Sequence, residues 1–239
     1  MQLMKVAVYS GTRNLYPHMI PAIKSLMANS DVDRIYVLAE DETLSEPLPE
    51  CCVVKNMTGQ KFFPEGSANM KSQFSHMALM RAALAKIFPD LDVVLSLDID
   101  TIAVNDVSQI WDINLDGYYF SACREPHRSH NGLLYTNAGV TLFNLKKLRD
   151  DKKVDEMIEV LNKQRFTWVD QDVQNYLCQG RILEMPSCWN VNNWTEPTNH
   201  PRIVHFAGIK NYFDRKEYLD YKSMSWDDVL EWREKQYGR

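Results

Sequence analysis

Residues 93–102, VVLSLDIDTI, decide how the rest of the chain is interpreted. The apolar and β-branched first part predicts a buried strand. The strand ends on Asp98 and Asp100, which are separated only by Ile99. Ligands of open α/β sheets bind just outside the carboxyl ends of the strands, and half-buried carboxylates there need a cation. An isolated Asp-x-Asp is more often a turn, but this placement predicts a divalent metal that holds an anionic ligand.

The composition is that of one ordinary globular protein. The chain has 239 residues, of which 45% are apolar and 25% are charged, enough for one large domain. The net charge of −5 makes a nucleic-acid backbone a poor partner, so any bound phosphate should meet a metal or a few local cations.

Cysteine usage and the N-terminus indicate the compartment. The five cysteines are odd in number and show no C-x-x-C spacing, which favours buried free thiols over a disulfide framework or zinc site. The N-terminal residues lack the layout of a signal peptide, and no apolar run reaches the length of a membrane span. We therefore expect a cytoplasmic protein without a strong membrane anchor.

Short apolar strands alternate with amphipathic helices, which predicts an α/β fold with a mostly parallel sheet. The predicted strands are 5–10, 34–39, 51–57, 93–98, 118–123, 137–145, 182–185 and 202–206. One predicted helix begins at Pro17, and the other four span 74–88, 148–163, 169–178 and 225–237. We expect one domain, with a nucleotide-binding half (1–105), a substrate-binding half (106–212) and a helical tail (213–239).

A histidine with its neighbours is the second candidate for a ligand site. His205 follows an apolar strand, where a histidine is most often a packed core residue. Here Gly208 allows a backbone to approach a ligand closely, and Lys210 supplies a charge suited to a phosphate. One imidazole with Asp98 and Asp100 suits Mn²⁺ better than Ca²⁺, with Mg²⁺ as the alternative.

Two polar segments look unlike ordinary structural elements. Asp170 opens a predicted helix, where capping worth about 1 kcal/mol would explain an acid but not the following Gln171. Asn137 opens an apolar strand and is followed by Ala138-Gly139, small residues that leave room for a ligand. By contrast, the pair His127 and His130 favours a polar acceptor-side loop over a second metal site, because two histidines alone make a poor site.

These segments, taken together and in order, resemble the retaining glycosyltransferases of family 8, the group that contains glycogenin and bacterial lipooligosaccharide galactosyltransferases. The resemblance runs from Lys5 to about Tyr212. Arg81 corresponds to the donor-binding arginine of the family. The matching motifs are LDIDT at 97–101, NAGV at 137–140, FNLKK at 143–147, DQD at 170–172, Pro186 with Trp189-Asn190, and HFAGIK at 205–210.

The resemblance implies a GT-A fold, with a mixed, mostly parallel sheet flanked by helices, a nucleotide-diphosphate sugar donor, usually UDP-linked, and Mn²⁺. It implies metal ligands at Asp98, Asp100 and His205, and places the catalytic neighbourhood at Asp170 and Gln171. The donor would meet Tyr9, Ser10, Tyr16, Arg81, Ile99, Asn137, Ala138, Gly208 and Lys210, with the diphosphate at the last two.

The sequence also departs from the family pattern. The first loop, 11–16, lacks the usual acid beside the base, and Tyr16 is shifted by one residue. The motif at 205–210 continues with Asn211-Tyr212 instead of Pro-Trp. The mixed-charge tail favours a soluble or glycan acceptor over a bilayer lipid. Two alternatives stay open: a sugar-nucleotidyltransferase, although Gly11 alone does not supply its glycine-rich phosphate loop, and a non-catalytic carbohydrate-binding protein.

Overall fold

The computed structural model describes residues 4–129 and 131–238, so the expectation for His130 lies outside the described residues. Over these ranges the strands form a seven-stranded sheet and a two-stranded sheet. The large sheet contains β1 (Val6–Gly11), β2 (Arg34–Ala39), β3 (Cys52–Asn56), β4 (Val93–Leu97), β6 (Phe120–Arg124), β7 (Thr136–Asn144) and β8 (Ile182–Met185). The small sheet contains β5 (Thr101–Ala103) and β9 (Ile203–His205).

The large sheet is mixed but mostly parallel, as predicted. Its strand order is β3-β2-β1-β4-β7-β6-β8, and β7 runs antiparallel to both of its neighbours. The other strand pairs are parallel. Strand β4 lies in the middle of this sheet, so its carboxyl end opens between the two halves of the fold. That position is where ligands collect in open α/β sheets.

Helices cover both faces of the sheet. One face carries α1 (Tyr16–Ala28), α6 (Lys216–Ser223) and α7 (Trp226–Tyr237). The other face carries α2 (Leu84–Ile87), α3 (Leu145–Asp150), α4 (Lys153–Lys163) and α5 (Val169–Leu177). None of the helices in the described ranges combines the length and the apolar character that a membrane crossing requires.

Two predicted helices need correction, and one further helix was not predicted. The helix predicted over 74–88 is mainly a 3-10 helix, His76–Ala83, followed by the single turn α2. The helix predicted over 148–163 is two helices, because Lys152 adopts a left-handed backbone (φ 55°) between α3 and α4. Helix α6 was missed, because its mixture of tyrosines and charges shows little amphipathic periodicity.

Candidate functional site

Strand pairing brings the predicted metal ligands together. The chain leaves β4 at Asp98, turns, and enters β5, which pairs antiparallel with β9 so that Thr101 lies opposite His205. Nε2 of His205 lies 3.2 Å from Oδ1 of Asp100 and 3.6 Å from Oδ2 of Asp98. One ligand atom from each of these three side chains lies within 4.8 Å of the others. The residues therefore form a compact cluster despite their separation in sequence.

The His205 ring is fixed on two sides. Its Nδ1 lies 3.0 Å from Oδ1 of Asn190, which leaves Nε2 facing the carboxylates. The ring also packs on Gly139, where a Cβ atom would come within 2.0 Å of the imidazole Cε1. Gly139, one of the two small residues after Asn137, therefore makes room for the histidine. Burial alone would lower the pKa of His205, but the Asp100 carboxylate outweighs burial and raises that pKa.

Arg81 connects the metal cluster to the next element. Its side chain is buried, and its Nη2 donates to Oδ1 of Asp98 while Nη1 donates to the carbonyl oxygen of Ala138 (2.5 Å). Its Nε lies 3.5 Å from Oδ2 of Asp170. Burial raises the pKa of Asp170 to about 6 despite this cation. Arg81 thus occupies one oxygen of Asp98 and leaves the other facing His205.

The predicted catalytic amide, Gln171, is tied into a polar network. Its Oε1 accepts a hydrogen bond from the Ala138 N–H (2.9 Å), and its Nε2 lies 3.3 Å from both Oε1 of Glu125 and the Tyr135 hydroxyl. Glu125 is 2% exposed and also accepts from Nδ2 of Asn137 (2.7 Å). This arrangement holds the amide plane of Gln171 in one orientation at the wall of the site.

Glu125 and Asn190 are the site residues that the sequence analysis missed as functional candidates. Glu125 comes directly after β6, at the same edge of the sheet as Asp98, so the strand-end argument used for Asp98 would also have found it. Asn190 was noted only as part of a motif. Its contact with His205 depends on a loop packing that spacing in the sequence does not reveal.

Two adjoining cavities surround the cluster and share Asp98, Asp100, Gln171, Phe74 and Trp168. The first is also lined by the predicted donor residues Ser10, Arg81, Ile99, Ala138 and Asp170. The second is also lined by Asn137, His205 and Gly208. Most of the predicted site residues therefore meet at one place, on either side of the two aspartates.

Three predicted residues lie elsewhere. The Tyr9 side chain is 1% exposed and packs under α1, where its hydroxyl donates to the carbonyl oxygen of Ala22 (3.3 Å). The Tyr16 hydroxyl donates to Oδ1 of Asp41 (3.3 Å), and its ring is buried. Lys210 is exposed, two residues beyond Gly208. The two tyrosines serve the core around the first loop, and Lys210 lies outside both cavity linings.

The donor set fits a divalent cation. Two carboxylates and one imidazole match the ligands that Mn²⁺ or Mg²⁺ accepts while keeping open positions for phosphate oxygens. Metal-binding histidines usually hold their second nitrogen in a hydrogen bond, as Asn190 does for His205. The cavities beside the cluster would leave such a cation accessible to a ligand.

Comparisons with known proteins agree with this geometry. The sequence model of "Glycosyl transferase family 8" matches residues 8–211, most of the chain. The glycosyltransferase GlyD of Streptococcus pneumoniae is 24% identical over 95% of this chain and 31% of its own length. The lipopolysaccharide 1,2-glucosyltransferase of Escherichia coli is 32% identical over 42% of this chain and 33% of its own length. The chain thus spans about a third of the length of these curated relatives.

Solved structures show the same fold. The glycosyltransferase GlyE of Streptococcus pneumoniae superimposes with a TM-score of 0.74 at 22% identity, over 98% of this chain and 64% of that one. The galactosyltransferase LgtC, solved with donor and acceptor sugar analogues, superimposes with a TM-score of 0.67 at 18% identity. That match covers 95% of this chain and 99% of LgtC. The sheet described above is therefore the GT-A fold that the sequence predicted.

Proposed function

The chain belongs to glycosyl transferase family 8, a family of enzymes that transfer glycosyl groups, and on that premise we propose the following reaction. The protein transfers a hexose from a nucleotide-diphosphate sugar, a UDP-sugar, to a hydroxyl group of a glycan or other acceptor. The anomeric configuration is retained, and the reaction depends on Mn²⁺ or Mg²⁺. The observation that carries this proposal is the cluster of Asp98, Asp100 and His205 between two cavities.

The metal cluster accounts for the departure of the nucleotide. A divalent cation held by Asp98, Asp100 and His205 would stabilise the negative charge of the leaving diphosphate as a Lewis acid. The cluster itself brings two carboxylates and only one imidazole, so without a cation it would repel a diphosphate. Gly208, in a left-handed backbone (φ 68°) at the rim, exposes its peptide group beside this position.

The buried ion pairs account for the position of the donor sugar. Arg81 and Asp170 line the first cavity beside Asp98, and Ala138 and Gln171 close its wall. A carboxylate, a guanidinium and an amide in a water-poor cleft can each bind a sugar hydroxyl in a fixed direction. No strong nucleophile faces C1 in this proposal. Gln171, which lines both cavities, would border the face from which the diphosphate leaves, and we propose that the acceptor attacks on that same face.

Two broader expectations remain proposals. We propose that residues 1–105 bind the nucleotide, because Ser10 and Ile99 line the first cavity, and that 106–212 bind the sugar and acceptor. The tail at 213–239 then supports the fold. A cytoplasmic location is consistent with five cysteines that form no disulfide in the described residues.

The function can be tested by thermal stability and by product release. We would measure unfolding with a panel of nucleotide sugars, with and without Mn²⁺, for the wild type, Asp100→Asn and the exposed control Asp116→Asn. A donor at a hundred times its dissociation constant should add about 2.7 kcal/mol to the stability, with Mn²⁺ required. Asp100→Asn should lose this gain, and the control should keep it.

Product analysis separates the alternatives. The proposed transferase releases a nucleoside diphosphate from the donor when the acceptor is added. Release of pyrophosphate from a nucleoside triphosphate and a sugar phosphate would instead identify a nucleotidyltransferase. Stabilisation by carbohydrate without any nucleotide release would identify a binding protein. If neither stabilisation nor release of nucleoside diphosphate or pyrophosphate were observed, the result would contradict a functional metal site.

A further inference from the structure

The second cavity has an indole side chain, that of Trp194, which does not line the first cavity. Trp168 and Trp194 line this cavity together with Asp98, Asp100 and His205. Trp194 is 40% exposed, although large aromatic side chains are normally buried to a high degree. An open indole surface therefore lies next to the predicted metal ligands, on the side away from Ser10 and Ile99.

Trp194 is held in place by the same residue that orients His205. The backbone N–H of Trp194 donates to Oδ1 of Asn192 (2.8 Å), and Nδ2 of Asn192 donates to Oδ1 of Asn190 (2.9 Å). The Thr195 hydroxyl donates to the carbonyl oxygen of Asn190 (2.8 Å). Oδ1 of Asn190 also lies 3.0 Å from Nδ1 of His205. The backbone at Trp194 thus belongs to a loop that these hydrogen bonds connect to His205.

Neighbouring side chains support both indoles. The His127 ring lies 5.3 Å from the ring of Trp194, tilted by 39°. The guanidinium of Arg128 lies over the Trp168 ring at 4.2 Å, and Phe74 lies 5.6 Å from the same ring. Such contacts stabilise aromatic rings in one orientation. Both indoles line the cavity together with Phe74 and Arg128, the residues that support Trp168.

Polar groups face the same space. Glu125 and Gln171 line the cavity. Oε1 of Glu125 already accepts from Asn137 and Gln171, but Oε2, which lies 3.1 Å from Nε of Arg128, keeps capacity for another donor. A matching ligand needs a flat apolar face for the indoles and hydroxyl groups along its edge. A pyranose ring has both, because its C–H bonds form an apolar face while its hydroxyls point outward. The serine side chain of a protein acceptor would be too small to cover the indoles. The acyl chain of a lipid acceptor would offer no hydroxyl group to Glu125.

We propose that this cavity is the acceptor subsite, in which a terminal pyranose of a carbohydrate acceptor stacks on Trp194 with its hydroxyls toward Glu125 and Gln171. The proposal rests on the glycosyl transfer proposed above and specifies the class of its acceptor. It further implies that Trp194 determines acceptor affinity and contributes little to donor affinity, since Ser10 and Ile99 line the other cavity.

The test begins with binding, which needs no turnover. Ligand-observed NMR would measure binding of a panel of methyl pyranosides and disaccharides to the wild type, Trp194→Ala, Trp194→Phe and Trp232→Ala. Trp232 lies on α7 and is also 40% exposed, so it is a matched control. We expect at least one pyranoside to bind the wild type, and Trp194→Ala to weaken its binding about tenfold, equivalent to about 1.4 kcal/mol. Trp194→Phe should recover part of the loss, and Trp232→Ala should match the wild type.

Kinetics then distinguish this proposal from the general function. With the best pyranoside as acceptor, Trp194→Ala should raise the acceptor KM about tenfold and leave the donor KM much less changed. Equal acceptor KM values for the wild type and Trp194→Ala would overturn the proposal, as would transfer to hydroxyl-bearing peptides or lipids but to no pyranoside. Absence of pyranoside binding to the wild type would also overturn it. Failure of the general function would show differently, as the loss of nucleotide release with every acceptor.

Discussion

At the scale of single residues, Gly139 has a role that its small size only partly suggests. Its missing side chain lets the His205 ring pack directly on β7, and an added Cβ would come within 2.0 Å of that ring. Gly139→Ala should therefore displace the imidazole. We expect Mn²⁺ binding to weaken by about 10–100-fold, the loss typical when a contact that supports a metal ligand is removed. The clash should also destabilise the fold by about 1–3 kcal/mol. Calorimetric titration with Mn²⁺ and denaturant unfolding measure both effects.

A second glycine provides the control. A Cβ at Gly66 would meet no atom of the described residues within 4 Å, so Gly66→Ala should leave the affinity for Mn²⁺ unchanged and should not lower the stability. If the Gly139→Ala variant bound Mn²⁺ as tightly as the wild type, His205 would not be a metal ligand. If both alanine variants were destabilised equally, the loss of stability in Gly139→Ala could not be assigned to its contact with His205.

The residues of the site differ in how far the sequence reveals them. Asp98 and Asp100 were predictable because a buried strand ending in acids needs a cation. His205 was recognised through its motif, but its neighbours Asn190 and Gly139 acquire their roles only when β5 pairs with β9. Such long-range contacts leave no periodic signal in the sequence. Local pattern therefore predicts ligands at strand ends better than the residues that orient them.

At the scale of elements, strands were easier to predict than helix ends. Strands β2 and β8 have the predicted bounds, because short apolar runs between turns have few alternative registers. The predicted helix over 148–163 failed at Lys152, although the charges contain the signal. Basic residues, Lys147 and Arg149, lie in the last turn of α3, and acids, Asp155 and Glu156, lie in the first turn of α4. That distribution suits two helix dipoles and not one.

The break between α3 and α4 gives a prediction at this scale. Lys152 is exposed and has a φ of 55°, a conformation that costs an L-residue about 1–2 kcal/mol and glycine almost nothing. Lys152→Gly should raise the free energy of unfolding by about 0.5–1 kcal/mol, after the greater entropy of glycine in the unfolded chain is subtracted. Urea unfolding measures the change. Lys152→Ala is the control and should give no such gain, whereas destabilisation by glycine would indicate a continuous helix.

At the scale of the whole molecule, the C-terminal helices belong to the core that supports the site. Tyr218 is 1% and Val229 0% exposed, and both pack in the same apolar cluster as β1 and α1. Arg233 donates from Nη2 to the carbonyl oxygen of Val32 (2.6 Å), two residues before β2 begins. The segment that the sequence suggested as a tail therefore braces β1 and β2, which belong to the half proposed to bind the nucleotide.

This integration can be measured as cooperativity. Val229→Ala should lower the stability of the whole domain by about 2 kcal/mol, because it removes buried methyl groups from the core shared with β1. Leu230, the next residue, is 45% exposed, so Leu230→Ala should change the stability by less than about 0.5 kcal/mol. Urea unfolding followed by far-ultraviolet circular dichroism and by tryptophan fluorescence should show one coincident transition that shifts only for Val229→Ala. Two separate transitions, with Val229→Ala affecting only the minor one, would mean that the helices fold independently and that the site stands without them.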